Sequence, residues 1–119
     1  MAQGLAAHAG ARLGVIARNV ANADTPGYKA QDLPDFAATY ASGDATPMRA
    51  TRPGHFGSDA RSGQKTAIFS GGSAAPNGNS VSLEMEMVKS VEARQSHEMA
   101  LAIYRSTSDV IRASLGRGR

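Results

Sequence analysis

A single helical pattern runs from residue 80 to residue 115 without a glycine or proline inside it. At a rise of 1.5 Å per residue, the pattern predicts a helix roughly 50 Å long. Asn79, Ser80 or Ser82 can cap its start, and Gly116 is the expected stop. A helix of this length is longer than the rest of so small a chain can enclose, so we expect part of it to contact other molecules.

The predicted C-terminal helix carries two apolar rows. One row contains Leu83, Met87, Leu101, Tyr104, Ile111 and Leu115, with Ser90, Arg94 and His97 as its polar middle. The adjoining row contains Val88, Met99, Ile103 and Val110. A hairpin partner covers one row, and the other then predicts an assembly interface. Arg94 and His97 are either solvated positions or polar residues that set the register of a helical interface.

Residues 2–23 predict a second, shorter helix of roughly 30 Å. Its apolar side chains recur at helical spacings in one row, which contains Leu5, Ala9, Leu13, Ile16 and Val20. We expect Leu13, Ile16 and Val20 to pack on Leu101 and Tyr104, or on the equivalent residues of adjacent subunits.

A tight turn follows this helix at Thr25, Pro26, Gly27 and Tyr28. Proline suits the second position of a type II turn, and glycine supplies the positive φ of the third. Asn19 and Asn22 precede the turn at the helix exit, where we expect them to satisfy backbone or neighbouring-subunit polar groups. Tyr28 can lay its ring back on the helices.

The middle of the chain is poor in large apolar residues. Residues 24–36 are predicted as a turn and an extended segment, and residues 37–79 as a loose, partly disordered connector. One helical turn at 36–40 and a short strand at 65–69 are the local exceptions. The predicted fold is therefore mainly α, with a short N-terminal and a long C-terminal helix forming a coiled-coil-like hairpin in one domain, 1–119.

Composition excludes several classes of protein. The 119 residues include no cysteine, so neither disulfides nor thiolate metal sites are expected. We predict no membrane span and no cleavable signal peptide. The net charge is +3, with arginines concentrated near the C-terminus at 112, 117 and 119. These arginines predict either a solvated basic tail or a phosphate-binding one.

No set of residues predicts catalysis, a metal or a cofactor. The three histidines, His8, His55 and His97, lack a carboxylate or second histidine at ligand spacing. The methionines of the second helix are read as packing residues. Glu84, Glu86 and Glu92 are assigned to a solvated or helix-capping face.

The run Asn19-Val20-Ala21-Asn22, followed by Thr25-Pro26-Gly27-Tyr28-Lys29, resembles the signature of the flagellar rod and hook axial proteins. Residues 28–36 resemble most closely the small proximal rod members of that family, and residues 79–87 resemble its second helix start. The resemblance covers both ends of the chain and leaves the middle unmatched.

This resemblance implies a structural subunit of the flagellar basal-body rod in the periplasm. It implies export by the flagellar export apparatus without a cleaved signal, and polymerisation through the terminal helices. The implied partners are other rod proteins, the ring-to-rod adaptor FliE and the MS-ring protein. The alternative, from the charge alone, is a small basic helical protein that binds nucleic acid or regulates.

Overall fold

The computed structural model describes residues 1–42 and 67–116. Its elements, in chain order, are α1 (Ala2–Ala21), β1 (Gln31–Asp32), α2 (Phe36–Ser42), β2 (Ile68–Phe69) and α3 (Leu83–Ser114). Helices α1 and α3 pack as an antiparallel pair, since the end of α1 contacts the start of α3. The prediction of a mainly α fold with a short N-terminal and a long C-terminal helix is confirmed.

Helix α1 has 20 residues and stops just before the turn. The backbone N–H of Asn22 donates to Arg18 O, and the Asn22 side-chain amide donates to the same carbonyl at 2.8 Å. The N–H groups of Asn22 and Ala23 also donate to the carbonyls three residues back, Asn19 O at 3.0 Å and Val20 O at 3.2 Å. This tightening ends α1 slightly earlier than the predicted residue 23.

Helix α3 has 32 residues, with a capping residue at its start and a stop signal after its end. Ser82 is the N-cap, and its hydroxyl oxygen accepts from the Met85 N–H. Hydrogen bonds from its own backbone N–H and from the Ser82 hydroxyl hold the pKa of Glu84 below its ordinary value. Gly116 follows the helix with φ +74°, a value that glycine adopts without steric cost.

The segment predicted as a loose connector has regular structure at both ends. Helix α2 occupies residues 36–42, and β2 pairs antiparallel with β1, with Gln31 opposite Phe69 and Asp32 opposite Ile68. The two elements lie at the local exceptions predicted within this connector, the helical turn at 36–40 and the short strand at 65–69. Residues 70–79 form neither helix nor strand. The backbone groups there find partners on the first half of the chain, which short-range sequence pattern does not reveal. Residues 43–66 of the predicted connector lie outside the described part.

The interior between the helices is small and partly polar. Its buried apolar side chains are mostly small, namely Ala9, Val15, Ile16, Ala30, Leu33, Ala93 and Ala100, and its buried polar side chains are His8, Asn19, Asn79 and Glu86. His8 Nε2–H donates to Pro34 O at 2.8 Å, and its ring meets the Phe36 ring edge-on. These contacts hold the segment after β1 against α1.

Candidate functional site

The turn after α1 has the geometry that its sequence predicts. The Tyr28 N–H donates to Thr25 O at 3.2 Å, which closes the four-residue turn. Gly27, in its third position, has φ +74°. Proline and glycine thus occupy the positions for which their backbone preferences suit them. The Thr25 hydroxyl donates to Asn22 Oδ1 and ties the turn to the helix exit.

The segment leading into α3 docks directly on this turn. Asn77 O accepts from the Gly27 N–H at 3.0 Å, and the Ser80 N–H donates to Tyr28 O at 3.0 Å. The Asn79 side-chain amide donates to the carbonyls of Asn22, Ala23 and Thr25, at 2.9, 2.6 and 3.0 Å. Asn79 is 3% exposed, and its amide joins three carbonyls of the segment that follows α1 to the start of α3.

Replacing Gly27 by valine is expected to destabilise the protein by about 1–3 kcal/mol, because a β-branched residue is strained at positive φ. The cost is this backbone strain alone, since no atom of the described residues, its two chain neighbours aside, lies within 4 Å of the place where a Gly27 Cβ would be. Chemical denaturation followed by circular dichroism measures the change.

Gly14→Ala is the matched control for that substitution. Gly14 lies inside α1 with open space where its Cβ would be, so alanine should raise stability by up to about 1 kcal/mol. A Gly27→Val protein as stable as the wild type would contradict the strain argument.

Asn19 is the centre of the contact between the two helices. Its side chain is 0% exposed. The amide nitrogen donates to Gln31 O at 2.7 Å and to Glu86 Oε2 at 3.0 Å. The amide oxygen accepts from the Gln31 N–H at 3.1 Å and from the Tyr28 hydroxyl at 3.3 Å. Both donors and both acceptor positions of the amide are therefore used, and one side chain joins α1, the turn, β1 and α3.

Glu86 connects Asn19 to a row of alternating charges between the helices. Lys89 lies 3.0 Å from Glu86 Oε1 and 3.4 Å from Asp32 Oδ2. Arg12 donates to both carboxylate oxygens of Asp32, at 2.9 and 3.1 Å. We call Arg12, Asn19, Asp32, Glu86 and Lys89 the polar cluster. Its two cations and two anions neutralise one another, which makes their burial tolerable.

The contacts within the polar cluster shift the pKa values of Asp32 and Arg12. Burial alone would raise the pKa of Asp32, but the hydrogen bonds from Arg12 and from the Leu33 N–H, with the nearby charges of Arg12 and Lys89, hold it below its ordinary value. The hydrogen bond to Asp32 raises the pKa of Arg12 against the opposing effect of burial. Both shifts favour the charged pair.

The depressed pKa of Asp32 predicts a definite pH dependence. The stabilisation should be fully present above the carboxyl's ordinary pKa of about 4 and should be lost as the pH falls through the lower folded value. Asp32→Asn should therefore lower stability at neutral pH and flatten the decline in acid. Thermal unfolding between pH 7 and pH 2 measures both effects.

Asp109→Asn is the control for this titration. Asp109 pairs with Arg112 at 3.4 Å, but both side chains are largely exposed, so the pair should contribute little. Identical pH profiles for the wild type and Asp32→Asn would show that the Asp32 ion pairs contribute no net stability.

The face of α3 that meets α1 is a row of small and polar residues. Glu86, Ala93 and Ala100 recur every seven residues and are 1%, 1% and 0% exposed. The assignment of Glu86 to a solvated or capping face is therefore wrong. Its carboxylate turns inward because Asn19 and Lys89 provide hydrogen-bonding partners there. Glu84 and Glu92 are exposed, as predicted.

The predicted apolar row of α3 lies largely outside the α1–α3 contact. Leu101 is half-buried, and the other members are exposed, namely Leu83, Met87, Tyr104, Ile111 and Leu115. Tyr104 at 58% and Ile111 at 52% continue the α1-facing side of α3, but α1 does not extend over them. Coverage of this row by adjacent subunits stays a prediction.

On α1, the predicted row borders an open groove. Ile16 is buried, Leu13 is half-buried and Val20 is 44% exposed. These side chains line the groove together with Ser90 and Arg94 of α3. Arg94 is exposed and His97 half-buried, so the polar residues enclosed between the helices are those of the polar cluster. Asn19 and Glu86 are the buried polar pair between the helices, and the register-setting role considered for Arg94 and His97 stays a prediction.

Sequence reasoning did not single out Arg12, Asp32, Asn79 or Lys89 as site residues. The face of α3 that meets α1 did have a sequence signal. Ala93 and Ala100 stand seven residues apart between large apolar residues, a spacing of small side chains that indicates close helix approach. The pairing of Asp32 with Arg12 and Lys89 had no sequence signal, because it depends on where β1 crosses the helices.

Residues 1–42 and 67–116 lack two kinds of feature. No group of histidine, aspartate and glutamate side chains in these ranges is arranged to hold a metal ion. No helix there is both long and apolar enough to cross a membrane.

This architecture defines a class of protein, a helical hairpin whose long helix leaves apolar side chains uncovered. Residues 3–29, which contain almost all of α1 and the whole turn, match the family model described as flagella basal body rod protein. Over these residues the chain is similar to the flagellar basal-body rod proteins. No curated protein matches the sequence.

Proposed function

We propose that this protein is a FlgB-type subunit of the proximal rod, which polymerises through α1 and α3 and connects the MS ring to the distal rod. The observation that carries the proposal is the uncovered apolar surface of α3 on a chain with a rod-family N-terminus. The proximal position is supported by the resemblance of residues 28–36 to FlgB, and torque transmission follows from a load-bearing place in the rod.

The uncovered surface occurs on both sides of the α1-facing row. We call Leu83, Met87 and Leu101 the first flank, and Met85, Met99, Ile103 and Val110 the second flank. A rotation of about 100° per residue places the two flanks on opposite sides of the Glu86–Ala93–Ala100 row. All but Leu101 are about half exposed or more. A helix with apolar flanks on both sides fits a closed layer of helices, in which each helix has two neighbours.

The expected partners follow from this position. They are other rod proteins, the FliE adaptor and the MS-ring protein, with the flagellar export apparatus in transit. We propose assembly in the periplasm after export without a cleaved signal peptide. The turn residues Asn19, Asn22, Thr25, Pro26, Gly27 and Tyr28 then serve as the joint that holds the two helices in an assembly-competent pair.

Deletion of the gene tests the proposal. Cells lacking the protein should be non-motile, and electron microscopy of their basal bodies should show the MS ring without the rod beyond it. Expression of the wild-type protein from a plasmid should restore both. Basal bodies with a complete distal rod in the deletion strain would overturn the proximal-rod assignment.

No described contact favours the nucleic-acid-binding alternative. Within residues 67–116, Arg112 pairs with Asp109 on the surface of α3. Arg117 and Arg119 lie outside the described part.

A further inference from the structure

Helix α3 could present any of three neighbouring faces to α1. The observed face contains Glu86, Ala93 and Ala100. Rotation by one residue, about 100°, would replace it with Met87, Arg94 and Leu101, and rotation the other way with Met85, Glu92 and Met99. Each alternative offers two large apolar side chains, whereas the observed face offers two alanines and a carboxylate.

Apolar burial therefore does not explain the choice of face. Burying a side chain of the size of methionine or leucine stabilises a fold much more than burying an alanine does. Burying an unpaired carboxylate is costly. The observed face needs a specific compensation, and that compensation is the hydrogen bond from Asn19 to Glu86, with Lys89 on the second carboxylate oxygen.

We propose that the Asn19–Glu86 pair selects the face of α3 that α1 covers, and so keeps both apolar flanks on the outside. Within the described residues, every fully buried side-chain nitrogen and oxygen has a hydrogen-bond partner. Turning α3 by one residue would remove Glu86 from Asn19 and break this complete pairing. The cost of the resulting unpaired groups opposes the apolar gain of the alternative faces.

The selection matters for assembly, and this part of the inference rests on the proposed function. A chain that buried a flank against its own α1 would gain stability as a monomer and lose a surface for its neighbours. A polar pair that fixes which face is internal prevents the chain from burying a flank against its own α1. A buried polar residue fixes register in coiled coils in the same way.

Exchanging two adjacent residues tests the proposal without changing composition. Glu86→Met together with Met87→Glu moves the carboxylate by one position. If the pair selects the face, α3 should turn by one residue so that the moved carboxylate again meets Asn19. The face should then contain residues 87, 94 and 101 in place of 86, 93 and 100.

Cysteine reporters measure the rotation in the purified chain, which has no cysteine of its own. In the wild-type background, Ala93→Cys should be protected from a thiol reagent, and Arg94→Cys should react freely, because position 93 is 1% exposed and position 94 is exposed. In the exchanged background the two reporters should invert, with labelling at position 93 rising at least about tenfold.

The control is the same exchange at an exposed site, Glu98→Met together with Met99→Glu. It should leave both labelling rates as in the wild type. Continued protection of position 93 after the 86/87 exchange would overturn the proposal, since alanine packing would then select the face. Free reaction at both positions, with loss of helical circular dichroism, would also overturn the proposal. The carboxylate would then stabilise the helix pair without selecting which face of α3 meets α1.

These measurements are independent of polymerisation. They require only the monomeric chain in solution and distinguish face selection from the rod function. If the reporters invert but the protein is not needed for rod assembly, face selection is supported and the proposed function is wrong.

Discussion

Asn19→Ala should be among the most destabilising single substitutions in this protein, at about 3–5 kcal/mol. The substitution removes hydrogen bonds to both backbone groups of Gln31, to Tyr28 and to Glu86. It leaves the Glu86 carboxylate buried with Lys89 as its remaining partner. Since domains of this size are stable by only about 5–15 kcal/mol, the loss should appear as a large fall in midpoint temperature.

The same motif supplies a matched control in Asn22→Ala. Asn22 is also an asparagine at the end of α1, but its hydrogen bonds to Arg18 O and Thr25 are exposed. Its loss should cost about 1 kcal/mol or less. Equal effects of the two substitutions in thermal unfolding would contradict the central role assigned to Asn19.

The second large effect concerns assembly. Ile103→Lys combined with Val110→Lys places two charges on the second flank, where the wild-type side chains are 48% and 66% exposed. In the monomer the stability should change by less than about 1 kcal/mol, because surface substitutions rarely cost more. If neighbouring subunits cover this flank, the lost apolar burial and the desolvation of two ammonium groups should weaken assembly by more than about 4 kcal/mol, or roughly 1,000-fold.

Complementation of a deletion strain measures this effect as loss of motility and of rod assembly. The control carries the same two charges at exposed positions, as Gln95→Lys with Ala102→Lys. These positions lie on the side of α3 opposite the Glu86–Ala93–Ala100 row and should permit assembly. Motile cells carrying Ile103→Lys and Val110→Lys would show that the second flank does not contact a neighbour.

Much of the secondary structure could be predicted from local pattern. The two long helices, the turn at Thr25–Tyr28 and the stop at Gly116 rest on interactions between residues close in sequence. Proline, glycine and capping hydroxyls act within a few residues, so their effects can be inferred without knowing the fold. The docking of residues 67–82 could not be predicted in this way, because its contacts with the first part of the chain join residues 36 to 57 positions apart.

Hydrophobic periodicity located the large apolar residues of α3 but did not identify the face that α1 covers. The periodic rows correspond to side chains that remain uncovered in the single chain, such as Met87 and Tyr104. The covered face is marked by Ala93 and Ala100, whose small size permits close approach, and by Glu86. A periodicity of large apolar residues therefore indicates the exposed rows of α3 and not the face that packs on α1.

The sequence by itself determined that this chain forms a short and a long helix joined through a Thr-Pro-Gly-Tyr turn, and that its apolar surface exceeds what one chain can bury. Local backbone preferences and the unequal lengths of the helices were sufficient for both conclusions. Only the tertiary structure decided that a polar cluster lies between the helices. Asn19, Asp32 and Glu86 are distant in sequence, and their burial is favourable only when the fold brings each to its partner.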